Sequence, residues 1–164
     1  EDKRVVGNGL PKFTMSVTHT FRYKNLDLNL YFRGNLGYQI YDFHDLYYGL
    51  QDAAPNTNVL ESAYKENRKI TTGKNVHSSY FVHNGDFMKL DVATLGYTWN
   101  INNKWVEKAR FYITGRNLFT ISGYHRGLDK DAYCVNGMEP GLPYSKNGYY
   151  PSSRQFLFGI QLNF

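Results

Sequence analysis

The chain has 164 residues, a formal net charge of +5 and a mean hydropathy of -0.55. That length suits one ordinary domain, and no stretch approaches the ~20 continuous apolar residues of a membrane-spanning helix. The 19 Lys and Arg are dispersed, with no basic run longer than Arg68-Lys69, which speaks against a nucleic-acid partner. The excess lies in the aromatics: 15 Tyr, 11 Phe and 2 Trp make up 17% of the chain. Membrane-spanning barrels gather aromatic residues at both interfaces, and their polar inner half hides them from hydropathy averages. An aromatic-rich soluble sandwich has the same composition, so the order of the residues must decide.

Alternation begins near residue 12. Phe13, Met15, Val17, His19, Phe21 and Tyr23 alternate with Thr14, Ser16, Thr18, Thr20 and Arg22. Successive strand side chains point to opposite faces, so 12–23 is predicted as a strand with one apolar and one polar face. His19 has apolar parity, and no role is assigned to it. A second strand is predicted over 26–41. Leu26, Leu28, Leu30, Phe32, Leu36, Tyr38 and Ile40 form one face, against Asp27, Asn29, Arg33, Asn35 and Gln39. Little more than Lys24-Asn25 joins the two. After a long segment, about 42–85, a third strand is predicted over 86–99. Met88, Leu90 and Val92 hold one parity there and Leu95, Tyr97 and Trp99 the other, so a bulge is expected near Ala93-Thr94. The fourth strand, 109–120, opposes Ala109, Phe111 and Ile113 to Arg110, Tyr112, Thr114 and Arg116. A second long segment, about 121–153, leads to the fifth strand, 154–164. There Phe156, Phe158, Ile160, Leu162 and Phe164 alternate with Gln155, Gly159, Gln161 and Asn163; Leu157 is the apolar exception.

Soluble strands centre on ~5–6 residues, whereas a tilted membrane strand needs ~9–11. The long alternating runs fit the second. Short and long connections also alternate, as they do in outer-membrane barrels with short periplasmic turns and longer extracellular loops. On that rule Lys24-Asn25 and Asn100–Lys108 are periplasmic, 42–85 and 121–153 are extracellular, and Phe164 ends at the periplasm. All five prolines fall outside the strand interiors. Five strands cannot close, because small barrels need about eight and a bare sheet edge in lipid leaves backbone groups unsatisfied. The fold class expected is all-β: a transmembrane antiparallel β-barrel, of which this chain is the C-terminal piece. A signal peptide, absent at Glu1, is expected upstream or already removed. Cys134, the single cysteine, cannot form an internal disulfide and reads as an incidental thiol.

Four stretches carry a family resemblance: GNGLPKFTMSVTHTFRYKNLDLNLYFRGNLGYQIYD (Gly7–Asp42), GDFMKLDVATLGYTW (Gly85–Trp99), ARFYITGRNLFTISGY (Ala109–Tyr124) and YYPSSRQFLFGIQLNF (Tyr149–Phe164). In them the chain resembles the C-terminal end of the SusC/RagA family of TonB-dependent outer-membrane transporters of Bacteroidetes. Tyr23-Lys24-Asn25 matches the family's YKN-type turn, and Asn117-Leu118-Phe119 its NLF motif near the end of the penultimate strand. The Tyr-x-Gly-x-Asp-Pro-Glu motif that follows is present only as Tyr124, Gly127 and Asp129, with one extra residue and Lys130-Asp131 in place of Pro-Glu. The resemblance implies a 22-stranded barrel around an N-terminal plug, with these as the last five strands. It implies a SusD-like surface lipoprotein as a lid, and uptake of oligosaccharides or peptides powered by TonB through an N-terminal region beyond this chain. A siderophore receptor is the alternative among transporters; a soluble or surface carbohydrate-binding β-sandwich is the alternative outside them.

The candidate residues follow. Phe164, a terminal aromatic on an alternating strand, resembles the signal read by the barrel-assembly machinery, and the outward residues would meet outer-membrane lipid. Tyr133, Tyr144, Tyr149 and Tyr150 in one long segment, and Tyr47, Tyr48, Tyr64 and Tyr80 in the other, are flat amphipathic side chains suited to a sugar, a lid protein or neighbouring loops. Arg22, Arg33, Arg110 and Arg116 have lumen parity; they would attract an anionic substrate, tether a plug or pair with carboxylates elsewhere in the wall. Asp129 with Asp131, Asp42 with Asp45, and His77 with His83 are the nearest approaches to a catalytic or metal set, and none has the spacing of a known site. No enzyme activity, metal or cofactor is expected.

Overall fold

The alternating runs form one five-stranded sheet in the computed structural model, which describes residues 4–54, 57–70, 76–125 and 152–164. Its strands are β1 (Phe13–Tyr23), β2 (Leu26–Leu36), β5 (Phe87–Asn100), β6 (Lys108–Ser122) and β7 (Gln155–Asn163), in the order β1-β2-β5-β6-β7. Two three-residue strands, β3 (Gln39–Tyr41) and β4 (Val82–Asn84), form a separate sheet. The contacts divide the chain into two compact units: 14–34, 87–121 and 152–164 in one, and 1–13, 35–86 and 122–151 in the other.

The first unit is an up-and-down sheet. Lys24 takes a φ of 52°, the left-handed conformation that a two-residue hairpin turn requires. At the β5–β6 turn Asn102 does the same at 50°, and the amides of Ile101 and Asn102 both donate to the Glu107 carbonyl, at 3.0 and 3.1 Å. Asn25 accepts from the Thr98 amide at 2.8 Å while Gly34 lies against Phe87, so β2 and β5 run antiparallel. β6 and β7 pair antiparallel from Lys108↔Asn163 to Arg116↔Gln155. Each strand therefore lies beside its predecessor in the sheet, and both short turns lie at one end of it.

One face of this sheet is apolar and bare. Phe158 is 80% exposed, Ile160 64% and Phe156 60%, and Phe21 and Trp99 are also exposed. The His19 ring sits on the same face, 6.0 Å from Phe21 and 6.4 Å from Phe32. A soluble sandwich covers such a face with a second sheet ~10 Å away. The other sheet among the described residues has only β3 and β4, so the sandwich alternative is not the architecture seen.

Side-chain parity changes within β5. Asp91 shares a face with Arg33, but further along it is Thr94 that meets Thr114, and the Cα of Gly96 that lies beside Arg110. The phase therefore shifts between Asp91 and Thr94, where the sequence changes parity.

The second unit corrects the expected strand over 26–41. The ladder stops at Leu36, because Gly37 turns with a φ of 73° and donates its amide to Asp86 Oδ1 at 2.6 Å. Tyr38 and Ile40 keep the parity of β2 but are buried in this unit. After β3 comes a short helix, α1 (Phe43–Tyr48), with 3₁₀ turns at Gln51–Ala53, Glu61–Ala63 and Ser79–Phe81. Its small core is Leu46, Leu50 and Phe81, with Tyr41, Phe43 and Ile70 packed against it.

Polar groups complete that core. Asp42 caps α1 by accepting from the Asp45 amide at 2.9 Å, and it also accepts from the Tyr124 hydroxyl. Asp45 accepts from Ser62 Oγ at 2.5 Å and from Asn67 Nδ2 at 2.9 Å; the same Asn67 accepts from the Tyr80 hydroxyl at 2.6 Å. Asp42, Asp45 and Asn67 are all buried, so each bond satisfies a group that water cannot reach. Asn67→Ala is therefore expected to cost about 1–3 kcal/mol. In the intact protein this appears as faster amide exchange over 42–67 with exchange in β5–β7 unchanged; equal protection of 42–67 in the variant would contradict it.

Candidate functional site

The polar face of the five-stranded sheet holds the charged side chains. A row of long residues lies flat across it instead of projecting from it. Arg110 on β6 reaches over β5 to Asp27 on β2, with Nε 3.0 Å from Oδ1 and Nη2 2.5 Å from Oδ2. This two-pronged pairing matches the guanidinium fork to the carboxylate. It passes directly over Gly96, where a Cβ would stand 2.5 Å from both Arg110 and Asp27. The guanidinium also lies 5.3 Å from the centre of the Tyr112 ring. Tyr112 in turn covers Gly159, its partner on β7, and occupies the space a Cβ there would need. Two glycines thus make room for an Asp–Arg–Tyr row spanning β2 to β7.

A second pair lies nearer the long connections: Arg33 Nε bonds Asp91 Oδ2 at 2.7 Å, with both side chains about 30% exposed (29% and 27%). Thr20 donates to Asn29 at 2.8 Å, and the Thr94 and Thr114 hydroxyls meet at 2.9 Å. At the short-turn end a recess of about 500 Å³ is lined by Arg22, Lys24, Asp27, Asn29, Thr98 and Arg110, among others. The four arginines with lumen parity therefore divide. Arg33 is paired with a carboxylate of the neighbouring strand and Arg110 with one two strands away, Arg22 lines the recess, and Arg116 stands exposed opposite Gln155.

Asn117 has a structural role that alternation conceals. Its φ is 54°, inside β6, and Asn tolerates this left-handed conformation better than most residues. From there its amide Nδ2 reaches the Ser152 carbonyl at 3.1 Å, Ser152 Oγ at 3.1 Å and the Ser153 carbonyl at 3.2 Å. These bonds fix the segment that enters β7. Leu118 packs over Gly115. The Asn-Leu-Phe motif thus sets where β7 begins.

The tyrosine candidates of 42–85 fall in the second unit. Tyr47 stacks on Phe43 with ring centres 6.1 Å apart, and Tyr48 packs against His44 at 5.1 Å; both are half-buried. Burial pushes the Tyr41 phenol above its ordinary pKa, and its hydroxyl lies 3.1 Å from His77 Nδ1. Tyr64 is exposed, and Tyr80 is exposed on one side while its hydroxyl serves Asn67. Tyr133, Tyr144, Tyr149 and Tyr150, with Cys134, Asp129 and Asp131, lie outside the described residues. Phe164 follows β7 and is 87% exposed.

The paired acids have other employment. Asp42 and Asp45 cap and brace α1. His77 meets Tyr41 while His83 stacks near Tyr124, so the two histidines serve different contacts. Among the described residues no group of three His, Cys, Asp or Glu is assembled to hold a metal ion.

No protein-family model matches the chain. It is 29% identical to the TonB-dependent receptor P3 of Formosa agariphila over 99% of its own length and 17% of that protein's. It is 26% identical to the TonB-dependent receptor SusC of Bacteroides thetaiotaomicron, over 99% of the chain and 16% of SusC. The chain is related to the SusC-like TonB-dependent receptors. Among solved structures, the RagAB peptide importer in its closed-closed state matches with a TM-score of 0.66 over 97% of the chain and 18% of that structure's chain, at 22% identity. The open-open state matches at 0.62 over 94% of the chain. The fold shared is that of a TonB-dependent β-barrel. This SusC-like chain spans about 17% of the length of the relatives it matches. TonB-dependent receptors are outer-membrane β-barrels.

The row makes a quantitative prediction. Gly96→Val should push Arg110 and Asp27 apart, and Asp27→Asn should remove half of the pair. If both act on one interaction, their double variant falls short of the summed destabilisation by about 0.5–3 kcal/mol. Thermal unfolding of the intact protein in detergent measures it, and strict additivity would separate Gly96 from the pair.

Proposed function

We propose that the chain is the C-terminal part of a SusC-like transporter that imports oligosaccharides or peptides across the outer membrane. The observation that carries this reading is the five-stranded antiparallel sheet with long strands, a bare aromatic and aliphatic face and a charged opposite face. In water such a sheet would leave its apolar side exposed; in lipid that side is solvated, and the charged side lines an aqueous interior. The strands are the last five of a barrel of about twenty-two, by likeness to the family rather than by count. The short turns at Lys24-Asn25 and Asn100–Lys108 face the periplasm, and the long connections 42–85 and 121–153 are extracellular. The likeness to TonB-dependent receptors supports a TonB-dependent process, and the likeness to the RagAB peptide importer supports oligopeptides beside glycans. A SusD-like lipoprotein sits over the outer connections as a lid, and Tyr47, Tyr48, Tyr133, Tyr144, Tyr149 and Tyr150 contact it or the solute. TonB is engaged by a segment outside these residues, and Phe164 is read by the barrel-assembly machinery. A siderophore receptor has no support among the relatives named.

Deletion of the gene from its native host, with growth followed on oligosaccharides and on oligopeptides, tests this. One of the two classes should no longer support growth, and the gene should restore it only in a strain with functional TonB. The protein itself should sediment with outer membranes and change gel mobility on boiling. A water-soluble protein without that change would end the reading.

A further inference from the structure

The apolar face ends, at the short-turn end of the sheet, in rings and cations that the sheet itself does not use. Arg22 and Thr98 line the recess on the polar face, so their chain neighbours Tyr23 and Trp99 point to the opposite face. Both are exposed. The Thr98 amide donates to the Asn25 carbonyl, which sets Trp99 level with the β1–β2 turn. In the β5–β6 turn Trp105 is 80% exposed, and Lys104 before it is exposed as well. In water such an indole gains nothing, whereas at the boundary of a bilayer its ring and its N–H are both served.

The charges at this rim do not balance. The carboxylates of the two turns and of the strand ends they join are Asp27 and Glu107, and each is in an ion pair, with Arg110 and with Lys108. No carboxylate among the described residues pairs with Lys24 or Lys104. Lys24 borders the recess, yet its ammonium lies 5.5 Å from the centre of the Tyr23 ring, which draws it to the edge of the apolar face. Rings alone accept any lipid. Unpaired ammonium groups beside them discriminate, because a zwitterionic head group carries its own cation next to the phosphate and an anionic one does not. A lysine stem can run along apolar surface while its ammonium reaches a phosphate.

We propose that this rim is a binding site for anionic phospholipid, with Lys24 and Lys104 on the phosphates and Tyr23, Trp99 and Trp105 against the glycerol and the upper acyl chains. The proposal rests on the reading of the apolar face as lipid-facing with the short turns at the periplasm. It adds to that reading a preference for one class of lipid in the periplasmic leaflet.

Photocrosslinking of the intact protein, reconstituted into vesicles of equal parts phosphatidylethanolamine and phosphatidylglycerol, tests it. Trp105→p-benzoylphenylalanine puts the probe at the rim, ring for ring. Phe156→p-benzoylphenylalanine puts the same probe at the other end of the apolar face. Mass spectrometry identifies the lipid joined to each. At 105, phosphatidylglycerol adducts are expected to exceed phosphatidylethanolamine adducts about fivefold or more, against near parity at 156. In a Lys24→Asn/Lys104→Gln background the excess should fall to parity, and Lys24→Arg/Lys104→Arg should keep it. Asn is chosen at position 24 because it tolerates the φ of 52° there. Parity at 105 with both lysines present, an excess that survives their loss, an equal excess at 156, or crosslinks at 105 to protein alone would overturn the proposal. Lipid adducts at 156 alongside any of these results refute the rim site alone; no lipid adduct at 156 refutes the lipid-facing reading of the sheet instead.

Discussion

Backbone hydrogen bonding in lipid is the constraint on which the rest of this structure depends. The hydrocarbon core offers no water, so every N–H and C=O within it must find a partner in the protein. A sheet meets that demand everywhere except at its edges. Here the edges are β1 and β7, and among the described residues neither has an outer neighbour. The five strands are therefore stable in a membrane only as part of a closed wall. The same constraint explains the length of the strands, which must carry the ladder across the whole apolar layer.

A continuous ladder also limits how the wall can be adjusted. Side-chain direction changes only where the backbone phase shifts, and β5 shifts between Asp91 and Thr94. That shift lets Arg33 pair with Asp91 on one side of it while Gly96 lies beneath the Arg110–Asp27 pair on the other. Without it, one of the two pairs would face lipid, where an isolated charge is costly. Asn117 works in the same way in β6: a single left-handed residue frees its amide to fix the approach to β7. Each departure from regular strand geometry thus places a polar contact.

The alternation that identified the fold was plain in the sequence because a membrane strand keeps it for ten residues or more. The parity change near Ala93-Thr94 was legible for the same reason. The break after Leu36 was not. Tyr38 and Ile40 continue the parity of Leu26–Leu36, and only the φ of Gly37 shows that the chain has left the ladder. The Arg110–Asp27 pair joins residues 83 apart, and a single sequence does not fix the register that brings them together. Arg110 was visible as a polar-face residue, but not its partner or the glycine beneath it. In the sequence Asp42 and Asp45 stood out only as a pair of acids without the spacing of a known site; their partners Tyr124, Ser62 and Asn67 are connected to them by no local pattern. The cap itself left a trace, an Asp immediately before Phe43-His44-Asp45.

The central claim is that one face of β1, β2, β5, β6 and β7 lies in lipid. Spin labels placed singly from position 155 to 164, in a Cys134→Ser background of the intact protein in bilayers, test it most directly. Labels at 156, 158, 160 and 162 should collide freely with oxygen and little with a water-soluble nickel chelate, and labels at 155, 159 and 161 should do the reverse. Chelate access at 158 and 160 equal to that at 159 and 161 would mean that the apolar face meets water or protein, and would contradict the account.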